Sequence, residues 1–496
     1  MICSRFFSTH VRKYACLTAL IFSLLNLSRT LAGDEPIRIK SEKQLLADDF
    51  LVLSRPGLQR AFHPPVKAND GQPVLLFDQP WEEPGTSILG TVVRHEDRFR
   101  LWYRGSGSGP TGGIWCYAES EDGLHWTKPK LNLVMHQERR DHNIYVIGQP
   151  QAFTPFLDPN EKDPAKRYKS AVNTPRIDTA LAYASDGLTW TPYRYGAAVT
   201  GRASDTISQV LWDPFANVYR LYTRTDYGTA DSGEVRGTRD MIAARHADLS
   251  DPGSWRTVRE WCLGWERGDR DYHRHRQIYS LNGWIHEGIQ FGLIWTLETG
   301  NHERMNAYIA TTRGEQPWNL SEVYADRELI PHGGPERFDC RWIQPAANIV
   351  TWNDRHWIYY AGSAMSHDGR WSPAIAGPKA GIGLATIRRD GFYSLQAGAA
   401  QGALTTKTFL FQGQRLELNY AAAVSGSVRV ELQDADGKPI PGFRLSECSR
   451  LVGDELAQVV HWSHGSDLSS LADHPVRLHI HVQDADLFAF QFLQNP

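Results

Sequence analysis

Acidic residues stand just ahead of a series of short apolar runs, and in this chain they are the residues best suited to chemistry. Glu82 and Glu83 precede the run at 86–93, and Asp205 precedes 207–212. Asp271 precedes 277–281, Glu336 and Asp339 precede 342–350, and Glu287 lies on a turn. Cleaving a glycosidic bond requires two carboxylates, one as acid and one as base or nucleophile. Asp205 and Asp339 are the leading candidates, because each abuts an apolar run where burial and a neighbouring carboxylate shift a pKa. Arg202 and Arg341 are close enough in sequence to pair with them. Glu82 is the third candidate, since it follows Trp81, whose ring can stack on a sugar. The alternative for each carboxylate is a strand-end group bonded to backbone N–H groups.

The densest charged run is 269–277, which contains Asp271, Arg274, His275 and Arg276. Arginines there can hold a sulfate or uronate group through bidentate hydrogen bonds, and the competing reading is a solvated loop. His273 and His275 alternate, which alone does not define a metal site, and no metal is assigned. The chain has no Gly-rich phosphate loop, no Ser-His-Asp order and no HExxH motif.

These residues need a frame, and the frame is a repeat. An aromatic strand appears at 100–104, 167–169, 219–223, 291–295 and 356–360. Each is followed by a run of small and apolar residues, a turn and usually an aromatic. The clearest copies run from Tyr117 through Asp122 and Gly123 to Trp126, and from Tyr183 through Asp186 and Gly187 to Trp190. Looser copies end at Trp255, Trp318 and Phe392. A period of about 65 residues suits a four-stranded blade with long loops. In the turns, the Asp accepts backbone N–H bonds, the Gly takes positive φ and the Trp packs back over the sheet. The turns are therefore assigned to the fold and not to the chemistry.

The reading is all-β: a five-bladed β-propeller over 33–393, then a β-sandwich over 394–496. The segment 43–52 is expected to close the ring as the outer strand of the last blade. In the sandwich, alternating strands surround a hairpin turn signal at 434–439. Residues 1–32 read as a secretory signal: basic Arg5, Arg12 and Lys13, an apolar stretch at 15–27, and small Ala32 at its end. A secreted or periplasmic location follows. Two of the 6 cysteines lie in that segment, and the other four are far apart without a CxxC pair, which excludes a zinc ribbon. A net charge of −3 gives no reason to expect nucleic acid or an anionic membrane as a partner. With 17 Trp, aromatic packing and sugar stacking are both well supplied.

The arrangement resembles the clan of five-bladed glycoside hydrolases that includes families 32, 43 and 68. It is most similar to bacterial exported proteins termed family 32 N-terminal-like. The residues that carry the resemblance are 46–51, Phe62-His63-Pro64-Pro65, Pro80-Trp81-Glu82, Trp212-Asp213-Pro214, and the stretch from Arg389 to Lys407. The resemblance covers nearly the whole mature chain and implies the fold. The chain lacks the family 32 Trp-Met-Asn-Asp-Pro-Asn-Gly, Arg-Asp-Pro and Glu-Cys motifs, so no catalytic residue carries over and fructan cleavage is not implied. Family 43 relatives can hold an axial calcium, though no Asp-rich calcium loop is evident. The expectation is a secreted glycoside hydrolase acting on a polysaccharide or oligosaccharide. Its rivals are a carbohydrate-binding propeller without catalysis, and a phosphorylase or lyase. A Tyr/His pair beside a uronate-binding Arg is the feature that favours a lyase.

Overall fold

The computed structural model describes residues 35–83, 88–106, 113–149, 153–173, 179–193, 207–227, 238–250, 255–259, 276–299 and 303–494. Two compact units result, one spanning 62–393 and the other joining the chain up to residue 61 with 394–496. Almost all regular structure is β-strand.

The larger unit is a succession of antiparallel meanders. The first sheet orders its strands Ile144–Gln149, Gly113–Ser120, Arg98–Ser106, Ile88–His95. The second and third sheets, at 156–192 and 209–259, are also four-stranded. A nine-stranded sheet then contains two further meanders, joined by a single parallel pairing of Met305 with Trp342. The meander seams are apolar. Val92, Leu101 and Tyr103 of the first meander pack with Ala346, Tyr359 and Leu384 of the last. Tyr222 of the third packs with Ile294 and Tyr308 of the fourth.

The repeated turns do the work expected of them and also lock neighbouring sheets. Asp122 Oδ1 accepts the N–H groups of Leu124 (2.9 Å) and His125 (2.8 Å). Asp186 Oδ1 does the same for Leu188 and Thr189. Gly123 and Gly187 have φ of 75° and 76°. Trp102 of the first meander donates its Nε1–H to Gly187 O in the second (2.7 Å), and Tyr359 of the last donates its hydroxyl to Gly123 O in the first (2.8 Å). The series therefore closes on itself. The inner strands are tied too: Thr154 Oγ1 donates to Ser208 O, Gln209 Nε2 to Gly283 O and Ala347 O, and Ala347 N–H to Gly90 O.

The closing strands differ from the expectation. Val66–Lys67 and Leu75–Leu76, not 43–52, add to the outer edge of the last meander, pairing with Ala380–Arg388. Gln44–Leu45 pairs with Val476–Leu493, and Val52–Ser54 with Gly402–Thr406, so the segment taken for the ring closure belongs to the other unit. That unit is one ten-stranded network built on two long strands, Arg415–Asp434 and Val476–Leu493. Their pairing shifts register between Asn419 and Tyr420 and between Ala422 and Ser427. The core of this unit is Leu404, Leu418, Val430, Leu478, Ile480 and Phe490, all unexposed.

Candidate active site at the strand starts

Of the predicted site residues, Arg202, Asp205, Asp271 and Arg274 lie outside the described residues, as does the signal segment. The others are placed as follows.

Glu82 is buried and saturated. Oε1 accepts the Tyr103 hydroxyl (2.5 Å), and Oε2 accepts the Asp78 and Gln79 N–H groups and Lys128 Nζ (2.6 Å). Its acceptor positions are taken by the chain itself, which is the behaviour of a structural carboxylate. Trp81 donates Nε1–H to Asn143 Oδ1 and meets His142 edge-on, so its ring is tied into the first meander.

Asp339 precedes the strand Trp342–Pro345 as expected, but its carboxylate turns over the sheet face. Its Oδ2 pairs with Lys67 Nζ (2.5 Å), from the outer strand of the sheet, and accepts the Tyr360 hydroxyl (2.8 Å). A Cβ at Gly362, in the middle of that sheet, would collide with Phe338 and Asp339. Oδ1 is buried without a partner. Arg341 donates to Arg370 O (3.2 Å) and not to Asp339 Oδ2.

Arg276 is locked. It pairs with Glu298 (2.5 Å) and Asp326 (2.7 Å), donates to Val323 O and lies over the Tyr308 ring. Burial raises the pKa of Glu298, while the guanidinium pulls it back. Glu287 sits at the opposite end of the strand Arg276–His286, in a hairpin turn with φ of 49°, followed by Gly288 at 76°. Eleven residues of strand put about 30 Å between Glu287 and Arg276, so the two do not share a site.

The strand-start rim does bring other groups together. Tyr279 comes from the inner strand of the fourth meander and His367 from the loop after Arg355–Ser363 in the last. His367 Nδ1 lies 2.7 Å from Glu303 Oε2, and its backbone N–H donates to Glu303 O. Its Nε2 lies 3.3 Å from the Tyr279 hydroxyl. A carboxylate only accepts, so Nδ1 carries the proton and Nε2 is left to accept from Tyr279. The arrangement is a hydroxyl, a base and an orienting carboxylate in series, which is the logic of an activated nucleophile or base. The imidazole stacks on Trp342 (6.2 Å, 12°), and Tyr279 meets Trp295 edge-on (4.7 Å). All three polar residues are half-buried, so the group is reachable from solvent.

Arg104 from the first meander lies within electrostatic reach of Tyr279. It is buried, and burial pushes its pKa down while Glu83 and Tyr279 pull it up. Glu83 is exposed and donates its N–H to Gly105 O (2.6 Å), which fixes it beside the end of the Arg104 strand. Tyr279, His367, Glu303 and Arg104 were not legible in the sequence as a site. They lie inside strands or in the loops between them, and long-range pairing brings them together, the last two meanders being joined in one sheet.

Two metal readings do not fit. His286, His356 and Asp390 cluster, but His356 Nε2 accepts the Asp390 N–H (2.8 Å) and His286 Nε2 pairs with Asp390 Oδ1 (2.7 Å), so the ligand atoms are engaged. Where inner strands converge, Gln209 Nε2 donates to the carbonyls of Gly283 and Ala347. An amide donor engages these two oxygens, and no carboxylate cage surrounds them among the described residues, so they do not offer the oxygen shell a calcium takes.

No protein-family profile matches this chain, and no curated protein matches it. Among solved structures, similar backbones include the exo-inulinase from Aspergillus awamori (12% identity, TM-score 0.37, covering 84% of this chain and 99% of that one). They also include the GH32 β-fructofuranosidase of Bombyx mori (9%, 0.38, 86% and 95%). A third is the GH62 α-L-arabinofuranosidase catalytic domain of Coprinopsis cinerea (11%, 0.41, 67% and 97%).

Proposed function

We propose that this protein is an exported, sugar-active enzyme built on a five-bladed propeller, and that it hydrolyses a glycosidic bond in a polysaccharide or oligosaccharide. The observation that supports this most is the Tyr279–His367–Glu303 series on the strand-start rim, reached by Arg104 and Glu83 from the first meander. Hydrolysis needs a proton donor to the leaving oxygen and a group that activates water or attacks the sugar. Glu83, exposed at the rim, suits the donor. Tyr279, with its proton drawn toward His367 Nε2, suits the activating group, and Glu303 stabilises the imidazolium that forms. Asp205, outside the described residues, remains a candidate partner carboxylate from its position in the sequence.

Elimination from a uronate chain is the second reading, favoured by the Tyr279–His367 pair beside Arg104. There Arg104 would neutralise the uronate carboxyl while Tyr279 moves the proton next to it.

Assays on a panel of neutral and acidic polysaccharides test both. Tyr279→Phe and Glu303→Gln are each expected to lower kcat by about a hundredfold or more, with the fold retained. Activity unchanged in both variants would remove the site assignment.

A further inference from the structure

The smaller unit carries a groove that the rim chemistry does not use. A cavity of about 520 Å³ opens on it, lined by Gln401, Ser427, Arg429, Ser446, Arg450 and His481 among others, and no Asp or Glu lines it. The strand Arg415–Asp434 places Arg429 opposite His481 of the strand Val476–Leu493, and Ala403 lies on the other side of His481.

The two guanidinium groups are differently held. Arg450 donates from one nitrogen to Ser425 O (2.7 Å) and Gly426 O (3.1 Å), which orients it before any ligand arrives. Arg429 is exposed and forms no hydrogen bond or ion pair among the described residues. Its charge acts on His481 and on Cys448. His481 Nδ1 accepts from Gln401 Nε2 (2.9 Å), and its Nε2 faces His479 Nε2 (3.1 Å). The nearby carboxylate of Glu431 is turned away, accepting from Leu445 N–H and Gln433 Nε2.

A concave polar surface with two arginines and no acid suits an oxyanion, and guanidinium matches sulfate and carboxylate bidentately. The cavity is of the size that takes an organic ligand, larger than a single oxyanion requires. We propose that this groove binds an acidic polysaccharide through its sulfate or uronate groups. The choice of a glycan rests on the sugar-active reading above. A net charge of −3 gives the whole chain no general attraction for polyanions, so binding of one must come from a local site.

Native electrophoresis of the full chain through gels containing a sulfated galactan, a polyuronate or neutral dextran tests it. Retardation is expected in one or both acidic gels and not in dextran, and the responding gel identifies the oxyanion. Arg429→Gln touches no structural contact and is expected to weaken binding about tenfold, the loss of a charged hydrogen-bonded pair. Arg450→Gln should act similarly. Tyr279→Phe should leave retardation unchanged, so a failure of the enzyme reading is separable from a failure of the groove. Equal retardation in dextran, none in either acidic gel, or undiminished retardation of the Arg429→Gln, Arg450→Gln double variant would overturn the proposal.

Discussion

At the scale of single residues, position ahead of a strand says where a carboxylate lies and not what it touches. Asp339 lies where the sequence predicts, but Lys67 and Tyr360 claim its Oδ2. Removing that charge leaves Lys67, only 19% exposed, without its partner. Asp339→Asn is therefore expected to cost about 3 kcal/mol of stability, the low end for breaking a buried pair, while kcat of the folded fraction holds. Chemical denaturation beside kinetics separates the two. His142 gives a pH prediction. It accepts from Ile144 N–H at Nδ1 and faces Arg139 O at Nε2, a neutral tautomer, and burial lowers its pKa below the ordinary 6.5. On acidification the unfolded chain takes up this proton first. The stability from the site is thus complete above that value and is lost as pH falls through it toward the folded pKa. Thermal midpoints should drop as pH falls below the ordinary histidine value, and His142→Gln should flatten that slope.

At the scale of elements, the turns were readable and the closure was not. Asp, Gly and Trp at fixed offsets specify a turn through local hydrogen bonds, so the copies at 122–126 and 186–190 were legible and formed as read. The ring-closing strands Val66–Lys67 and Leu75–Leu76 are two residues each, too short to show a period, whereas 43–52 has the look of a strand and pairs elsewhere. Long-range pairing carries no local mark. The turn also gives a graded prediction. At Gly123 a Cβ would strike the Tyr359 hydroxyl and strain a φ of 75°, whereas Gly314, at φ of 58°, has open space. Gly314→Ala should cost about 1 kcal/mol for the backbone alone, and Gly123→Ala about 2–4 kcal/mol once overpacking is added. Equal losses in urea titrations would contradict the seam-locking role of the turn.

At the scale of the molecule, the all-β class and the repeat were legible because the period survives in aromatic and turn residues. The candidate site was only partly so. Glu83 stood in the expected place, but Tyr279, His367 and Glu303 come from an inner strand and two loops, and the long-range pairing that joins the last two meanders makes them neighbours. The division of the chain has its own consequence. Residues up to 61 pair with 394–496, so a fragment spanning 33–393 carries strands whose partners are missing. Such exposed edges favour association. The fragment 62–393 is expected to elute as a monomer in size-exclusion chromatography, and 33–393 to aggregate. The central claim, hydrolysis at the rim, is tested most directly by digesting the polysaccharide panel in heavy-oxygen water and weighing the products. Hydrolysis predicts saturated products with one solvent oxygen incorporated per bond cleaved, on the new reducing end, and none formed by Tyr279→Phe. Unsaturated products free of heavy oxygen would contradict it and establish elimination instead, and no product from any polysaccharide would contradict both.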